Sequence, residues 1–269
     1  MNLSLSNMLS STASGLDPDA KGYVEELVAA GATVSGGQKS AINTFIKTGK
    51  SDGWYSSLKR LYLPIWASAA PNAIDMIGLT SGTFNGTVTH AAGYVQGDGS
   101  TGYFEIGQTA AQLGLAFDDA WFGMLIKQDG ANDPAVYLGA RTASTSVINF
   151  SKSGLDLRTT VANDGLLTWA SATINGIISS RRGSATRSIY RRYSLGRSQV
   201  ASDSTAATGS LPATNLNYMR FNRTDGFPVY SSAQFGAVWF GTEETDAQDN
   251  SYTLALKNLW ETCTGLTLP

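Results

Sequence analysis

The sequence holds one cysteine, Cys263, and one histidine, His90. A lone thiol closes no disulfide within the chain and builds no thiolate cluster for zinc or iron–sulfur. Stability therefore has to come from packing, and the expected compartment is a reducing cytoplasm. A single imidazole makes any serine hydrolase triad depend on His90, and no G-x-S-x-G turn accompanies it. Charge is also scarce, at 15% of 269 residues where about a quarter is usual. The formal net charge of −2 lacks the basic excess of a nucleic-acid or acidic-membrane binder. No apolar run approaches the length of a membrane span. Met1 to Gly15 is rich in Ser and Thr, without a basic start or a continuous apolar core, so it has the pattern of neither a secretory signal nor a span. It reads as a flexible arm over residues 1–15. The expectations are no cofactor, no nucleic acid and no membrane insertion.

Hydrophobic residues, at 42%, suffice for a packed core, and 29 glycines together with Ser and Thr supply the polarity that charge does not. That exchange suits many short strands joined by tight turns. Asp17-Pro18-Asp19 gives an N-cap, a proline at the first helical position and a second acid on the helix dipole, followed by Tyr23, Val24, Leu27 and Val28 on one face. Gly31 ends that helix. Ser35 and Gln38 form a capping box for a second, with Ala41, Ile42, Phe45 and Ile46 as its apolar face and Gly49 as its stop. A third helix is expected from Ser51 to Leu61, which completes a helical docking segment over residues 16–60, too small to hold an independent core.

At Leu61-Tyr62-Leu63-Pro64-Ile65-Trp66 the period changes from 3.6 to 2, and an apolar β-rich run containing proline reads as an edge strand. Strands follow at Thr83 to Thr89, Tyr103 to Ile106, Trp121 to Lys127, Val136 to Gly139, Val147 to Phe150, Leu155 to Val161, Ile174 to Ser179, Ser188 to Tyr193, Tyr218 to Asn222 and Phe235 to Phe240. Ser198 to Pro212 reads as a long loop. Capped by Thr245 or Asp246, a helix over about 245–263 closes a domain spanning 61–269. Many short strands without intervening long helices give a mainly β chain, a sandwich or jelly roll with a small N-terminal helical segment and a C-terminal helix.

Candidate chemistry is sparse. Gly97-Asp98-Gly99-Ser100-Thr101-Gly102 fits G-x-G-x-x-G, but the strand-like Tyr103-Phe104-Glu105-Ile106 follows it, so no helix dipole faces a phosphate and it reads as a turn. Glycoside hydrolysis needs two carboxylates across the sugar, and no strand carries acids at alternate positions. Glu243, Glu244 and Asp246 precede the last helix, where negative charge is favourable. Asp129, Asn132 and Asp133 offer oxygens for calcium or an ordinary turn. The strongest charge feature is Arg181, Arg182, Arg187, Arg191, Arg192 and Arg197, interleaved with Tyr190 and Tyr193. Alternation puts Arg187 and Arg191 on one side of a strand and Arg192 on the other. Arg187, Arg191 and Tyr193 are the candidate ligand or partner contacts; a charged edge that deters stray strand pairing is the structural alternative.

Several stretches, taken in order, resemble a known group: Asp19-Ala20 with Tyr23-Val24, Ala41-Ile42-Asn43-Thr44-Phe45-Ile46, Lys50-Ser51-Asp52-Gly53-Trp54, Leu61 to Trp66, Val95-Gln96 running into Gly97 to Phe104, Ile178-Ser179-Ser180-Arg181, Tyr193-Ser194-Leu195-Gly196 and Phe235-Gly236-Ala237-Val238-Trp239-Phe240-Gly241. Together they resemble tailed-bacteriophage virion proteins with a short helical N-terminal region and a concanavalin A-like, laminin-G-type jelly roll. The resemblance implies a non-enzymatic structural component of a phage particle in tail, fibre or capsid surface. Such a protein is made in the host cytoplasm, resides in the virion, docks on other virion proteins through its N-terminal helices and is present as a homo-oligomer or in multiple copies. Where comparable domains have an Asn-Gly turn, this chain has Arg191-Arg192-Tyr193-Ser194-Leu195-Gly196, so no binding residue carries over. A carbohydrate-binding receptor-recognition module, using loop aromatics and arginines against a host-surface glycan, is the alternative. A glycoside hydrolase is the third reading.

Overall fold

The structure is a computed structural model, and it describes residues 15–131, 135–143, 146–153, 156–161, 167–170, 174–193, 196–206, 208–224 and 226–268. Helix α1 (Pro18–Ala29) starts on Asp17, whose side chain accepts from Asp19 N, and α2 (Gly36–Asp52) on the reciprocal Ser35–Gln38 capping box. α2 does not stop at Gly49. It runs on to Asp52 and ends at Gly53, which adopts the left-handed conformation. Gly49 serves packing instead, because a Cβ there would lie 2.5 Å from the ring of Trp54, which turns back beneath the helix.

The third helix expected from Ser51 to Leu61 is absent. In its place β1 (Leu58–Tyr62) pairs antiparallel with β16 (Gln234–Gly241), Leu61 opposite Trp239 and Tyr62 opposite Val238. A partner strand 180 residues away in the sequence overrides the local helical spacing. A one-turn helix α3 (Ala69–Asn72) follows.

The remaining strands build two eight-stranded sheets. The first runs β13 (Gly196–Asp203), β12 (Arg187–Tyr193), β11 (Gly176–Arg182), β6 (Ala120–Gln128), β16, β4 (Tyr94–Gly97) and β3 (Val88–Ala91), with β1 also on β16. The second runs β10 (Leu167–Ala170), β9 (Asp156–Val161), β8 (Ser146–Ser153), β7 (Ala135–Ala143), β14 (Asn215–Tyr218), β5 (Tyr103–Thr109) and β2 (Thr83–Asn85), with β15 (Asn222–Arg223) parallel to β7. The expected β-sandwich of mainly β content with helices at either end is what the structure contains. The stretch expected as a loop from Ser198 is instead strand β13 as far as Asp203, hydrogen-bonded along β12.

The two sheets differ in what covers them. Phe122, Met124 and Ile126 of β6, with Phe235, Val238 and Phe240 of β16, face the second sheet and join Phe104, Tyr137, Phe150 and Leu216 in the sandwich core. The alternate positions Trp121, Leu125, Ala237, Trp239 and Ile177 face the other way and are buried by α1, α2 and the closing helix α4 (Asp246–Thr264). Hence β6 reads Ala-Trp-Phe-Gly-Met-Leu-Ile without polar alternation, as a strand buried on both faces must. Tyr252 of α4 is the joint, its ring 4.5 Å from Trp121, 5.0 Å from Trp239 and 5.1 Å from Trp54, which itself lies 4.9 Å from Phe45 of α2. Each such aromatic contact adds about 0.5–1.5 kcal/mol to area burial. Among the described residues, no helix is long and apolar enough to cross a membrane.

The seam makes one substitution behave against its helix propensity. Gly49→Ala would gain about 1 kcal/mol at an exposed helical site, but here it drives a methyl into the fully buried Trp54. A net loss of about 1–3 kcal/mol is expected, read as a lower urea midpoint at unchanged slope.

Candidate functional site

The arginine-rich segment folds inward. Arg192 and Arg197 lie against α4: Arg192 Nε donates to Thr253 Oγ1 at 2.9 Å, and Arg197 Nε donates to Asp249 Oδ2 at 2.8 Å. Trp121 Nε1 donates to the other oxygen of Asp249, at 2.8 Å. Arg197 stacks on the Tyr190 ring at 3.7 Å, and Arg181 Nη1 donates to the Tyr190 hydroxyl. Thus these cations clamp the closing helix to the first sheet. Of the sequence-predicted contacts, Arg187 forms a forked pair with Asp203 at 2.7–2.9 Å and is 6% exposed. Arg191 donates to the carbonyl and side-chain oxygens of Asn175 and lies 3.8 Å over Tyr193 and 5.0 Å from Trp169. The structure brings Arg191 and Tyr193 together, with Arg187 farther along the same strand.

The other sequence candidates resolve into turns and pairs. Asp98 accepts from the backbone of Ser100, Thr101 and Gly102 and from two hydroxyls, which hold its carboxyl far below the usual range, and strand β5 follows. Asp129 accepts from the Tyr137 hydroxyl at 2.6 Å and from Lys152 Nζ at 2.7 Å, while Asn132 and Asp133 lie outside the described residues. Among the described residues no group of three or more His, Cys, Asp or Glu is placed to hold a metal ion. His90 Nδ1 sits 3.1 Å from Asn72 Nδ2 with its ring against Phe84, and burial lowers its pKa.

A different cluster stands on the outer face of the second sheet, which among the described residues carries no helix and is partly covered by Phe221 and Val229 over Val136 and Val147. Phe104 and Ile106 of β5 point into the core, so alternation turns Tyr103 and Glu105 outward; Leu216 and Tyr218 of β14 do the same for Asn215 and Asn217. Just past β14, Met219 adopts φ 66°, a left-handed conformation that an unbranched residue enters at a cost of about 1–2 kcal/mol. Its N–H donates to Tyr137 O at 2.7 Å and its carbonyl accepts from Ser231 N at 2.9 Å, which fixes the kink. The kink brings Arg220 over the Tyr103 ring at 4.4 Å and near the Tyr230 ring at 5.8 Å, the two rings being 6.3 Å apart. Beside them Asn215 Nδ2 donates to Glu105 at 2.8 Å, and the Oδ1 of the buried Asn217 has no hydrogen-bond partner. The loop between β15 and Tyr230 presents Phe227, which is 90% exposed.

Sequence reasoning missed Tyr103, Arg220 and Tyr230. The available signal was an arginine directly after the apolar Tyr218-Met219, followed by the aromatic, proline-containing Phe227-Pro228-Val229-Tyr230. A groove of about 550 Å³ between α2 and α4, lined by Ala41, Thr44, Thr48, Leu254 and Ala255, lies on the helical side.

No protein-family model matches the sequence, and no relative is found among curated proteins. Solved structures do match. A mutant of Trypanosoma rangeli sialidase displaying trans-sialidase activity superposes with TM-score 0.53 at 12% identity, over 80% of this chain and 38% of its own. The Trypanosoma rangeli sialidase in complex with 2,3-difluoro-KDN gives TM-score 0.54 at 11% identity, over 81% and 39%. The Ruminococcus gnavus IT-sialidase CBM40 bound to α2,3 sialyllactose gives 0.44 at 10%, over 60% of this chain and 95% of its own. The chain spans under two fifths of the sialidase chains it matches. What the likeness shows for this chain is the sandwich fold. It corrects two expectations. The jelly-roll half of the sequence resemblance stands, but the solved structures that match include sialidases, and the phage structural component is overturned with the virion role built on it. The expectation that the chain is not an enzyme is likewise overturned, since those counterparts are enzymes.

Two predictions follow from the helix clamp. Asp249 is fully buried against Arg197, and Asp249→Ala leaves that guanidinium with only the exposed Asp246 as its acid and takes the acceptor from Trp121 Nε1, so about 2–5 kcal/mol of stability is lost in denaturant unfolding. Glu244, at the β16–α4 junction, is 2% exposed; burial, opposed by a bond from Ser57 and aided by Asp249, pushes its pKa up to about 7. A carboxyl whose folded pKa exceeds its unfolded value of about 4.3 binds its proton more tightly when folded. Stability contributed by Glu244 is therefore complete below that pH and declines as pH rises toward 7. Glu244→Gln is expected to flatten this decline in urea midpoints measured from pH 4 to 8; an unchanged slope would assign it to other groups.

Proposed function

We propose that the chain is a glycan-binding jelly roll whose binding surface is the outer face of the second sheet. The observation that carries this reading is the Tyr103–Arg220–Tyr230 cluster, two rings and a guanidinium held by a strained backbone on a sheet face without helical cover. Aromatic rings accept the C–H faces of sugars, while planar amides and charged groups take the hydroxyls. Glu105 and Asn215 supply such groups beside the rings, and the exposed Phe227 supplies a further face. Left-handed, non-glycine backbone of the kind at Met219 concentrates at functional sites. Tyr193 and Trp169, half-exposed on either side of the buried Arg191, offer a second contact at the β10 end of the sandwich, and Arg187 braces it through Asp203.

A glycan array probed with the wild-type chain, Tyr103→Ala, Tyr230→Ala and Tyr193→Ala tests the reading. A defined subset of saccharides is expected to bind, and loss of either ring on the Arg220 face should weaken binding about tenfold. Loss of Tyr193 has a smaller effect if its contact is secondary. Binding that survives both Tyr103→Ala and Tyr230→Ala, or no binding to any saccharide, would remove the proposal. The same panel assayed for released sugar separates retention of the glycan from its hydrolysis.

A further inference from the structure

The arginines of the first sheet all have partners. Arg187 is forked on Asp203, Arg197 pairs with Asp246 and Asp249, and Arg192 donates to Thr253 and Asn250. Arg191 is held by Asn175, Arg181 by the Tyr190 hydroxyl, and Arg182 by two backbone carbonyls. Arg220 is different: among the described residues it makes no hydrogen bond and no ion pair, and its Nε is enclosed without a partner. Glu105, two residues along β5 from Tyr103, is engaged by Asn215.

A guanidinium with no carboxylate is an unfinished recognition group. Its planar fork matches a planar, bidentate anion, and stacking on a ring fixes the plane of the fork without using any of its N–H donors. Tyr103 and Tyr230 provide that stacking here, and Met219 holds the backbone that sets its position. The partly exposed side chain leaves its terminal nitrogens, which are not among the enclosed unpaired atoms, open toward solvent. We propose that Arg220 is the carboxylate-recognising residue of this face, so that its ligand is a saccharide carrying a carboxylate, the sugar ring lying on Tyr103 or Tyr230 and the carboxylate on the arginine fork. This rests on the glycan-binding reading above and adds the class of glycan to it.

Titration calorimetry on the full chain tests the proposal, with sialyllactose and glucuronate-terminated oligosaccharides as probes, each beside its carboxyl-amide form, a sulfated analogue and lactose. Wild type is expected to bind at least one acid form about 10- to 100-fold more tightly than its amide, the range of one charge-assisted fork. Arg220→Gln should bring that ratio close to one, the acid form losing far more affinity than the amide, and Arg220→Lys, which keeps the charge without the fork, should restore only part of it. Because Arg220 holds no other residue by hydrogen bond, loss of its ring contact should lower the unfolding temperature by no more than a few degrees, so both variants stay folded at the assay temperature. A ratio near one in wild type, a ratio unaffected by Arg220→Gln, or tighter binding of the sulfated analogue would overturn the assignment. Binding of lactose and the amides without acid preference would sink this inference and leave the glycan reading standing. Absence of binding to every probe together with an empty glycan array would remove both.

Discussion

Tyr252 sets its ring among Trp54, Trp121 and Trp239, and this aromatic joint makes the first sheet apolar on both faces. Everything else in the architecture follows from that requirement. A sheet with two apolar faces needs two covers; the second sheet provides one, and α1, α2 and α4 provide the other. The helices are thus a third layer of one packed body, and their apolar stripes, Tyr23, Leu27, Ile42, Phe45 and Ile46, are spent on the chain's own sandwich. The second sheet has no helix on its outer side among the described residues; there Phe221 and Val229 pack over Val136 and Val147, and the candidate site stands beside that small cluster.

Arginine serves opposite ends in the two sheets, and partners rather than residue type decide which. Along β11 to β13 the guanidinium groups are matched by Asp203, Asp246, Asp249 and by carbonyls, an arrangement that fixes helix and sheet in one geometry. Such pairs lose much of their Coulomb energy to desolvation, so their value lies in orientation as much as in stability. Beside the opposite sheet Arg220 is held by rings and a kinked backbone.

How far the sequence was legible depended on whether a signal was local. The caps of α1 and α2, the closing helix and its Thr245 cap, and apolar strands such as Trp121 to Lys127 and Phe235 to Phe240 announce themselves through nearest-neighbour chemistry. Elements that owe their form to a distant partner did not. Gly196–Asp203 has little apolar alternation and is a strand because β12 offers it an edge; Leu58–Tyr62 carries helical spacing and is a strand because β16 is beside it. The extension of α2 past Gly49 depends on where one tryptophan ring lies. The candidate site was the least legible part. Tyr103 and Arg220 are far apart in the chain and meet through the β14–β5 pairing and one left-handed methionine. The arginine cluster, conspicuous as a string of charges, gave no warning that the matching acids were waiting on the last helix.

The unequal covering of the two sheets also divides the chain into positions that can and cannot drift. Along β6 and β16 a substitution on either face meets a packed side chain, so variation there is confined to close apolar exchanges. Across the outer face of β5 and β14, the half-exposed Tyr103, Glu105 and Asn215 meet solvent on one side, as does the exposed Phe227 of the following loop, while Asn217 between them is buried. A lineage built on this frame can therefore exchange the groups beside Arg220, and with them the molecule it recognises, while the buried seam that holds the frame stays constant.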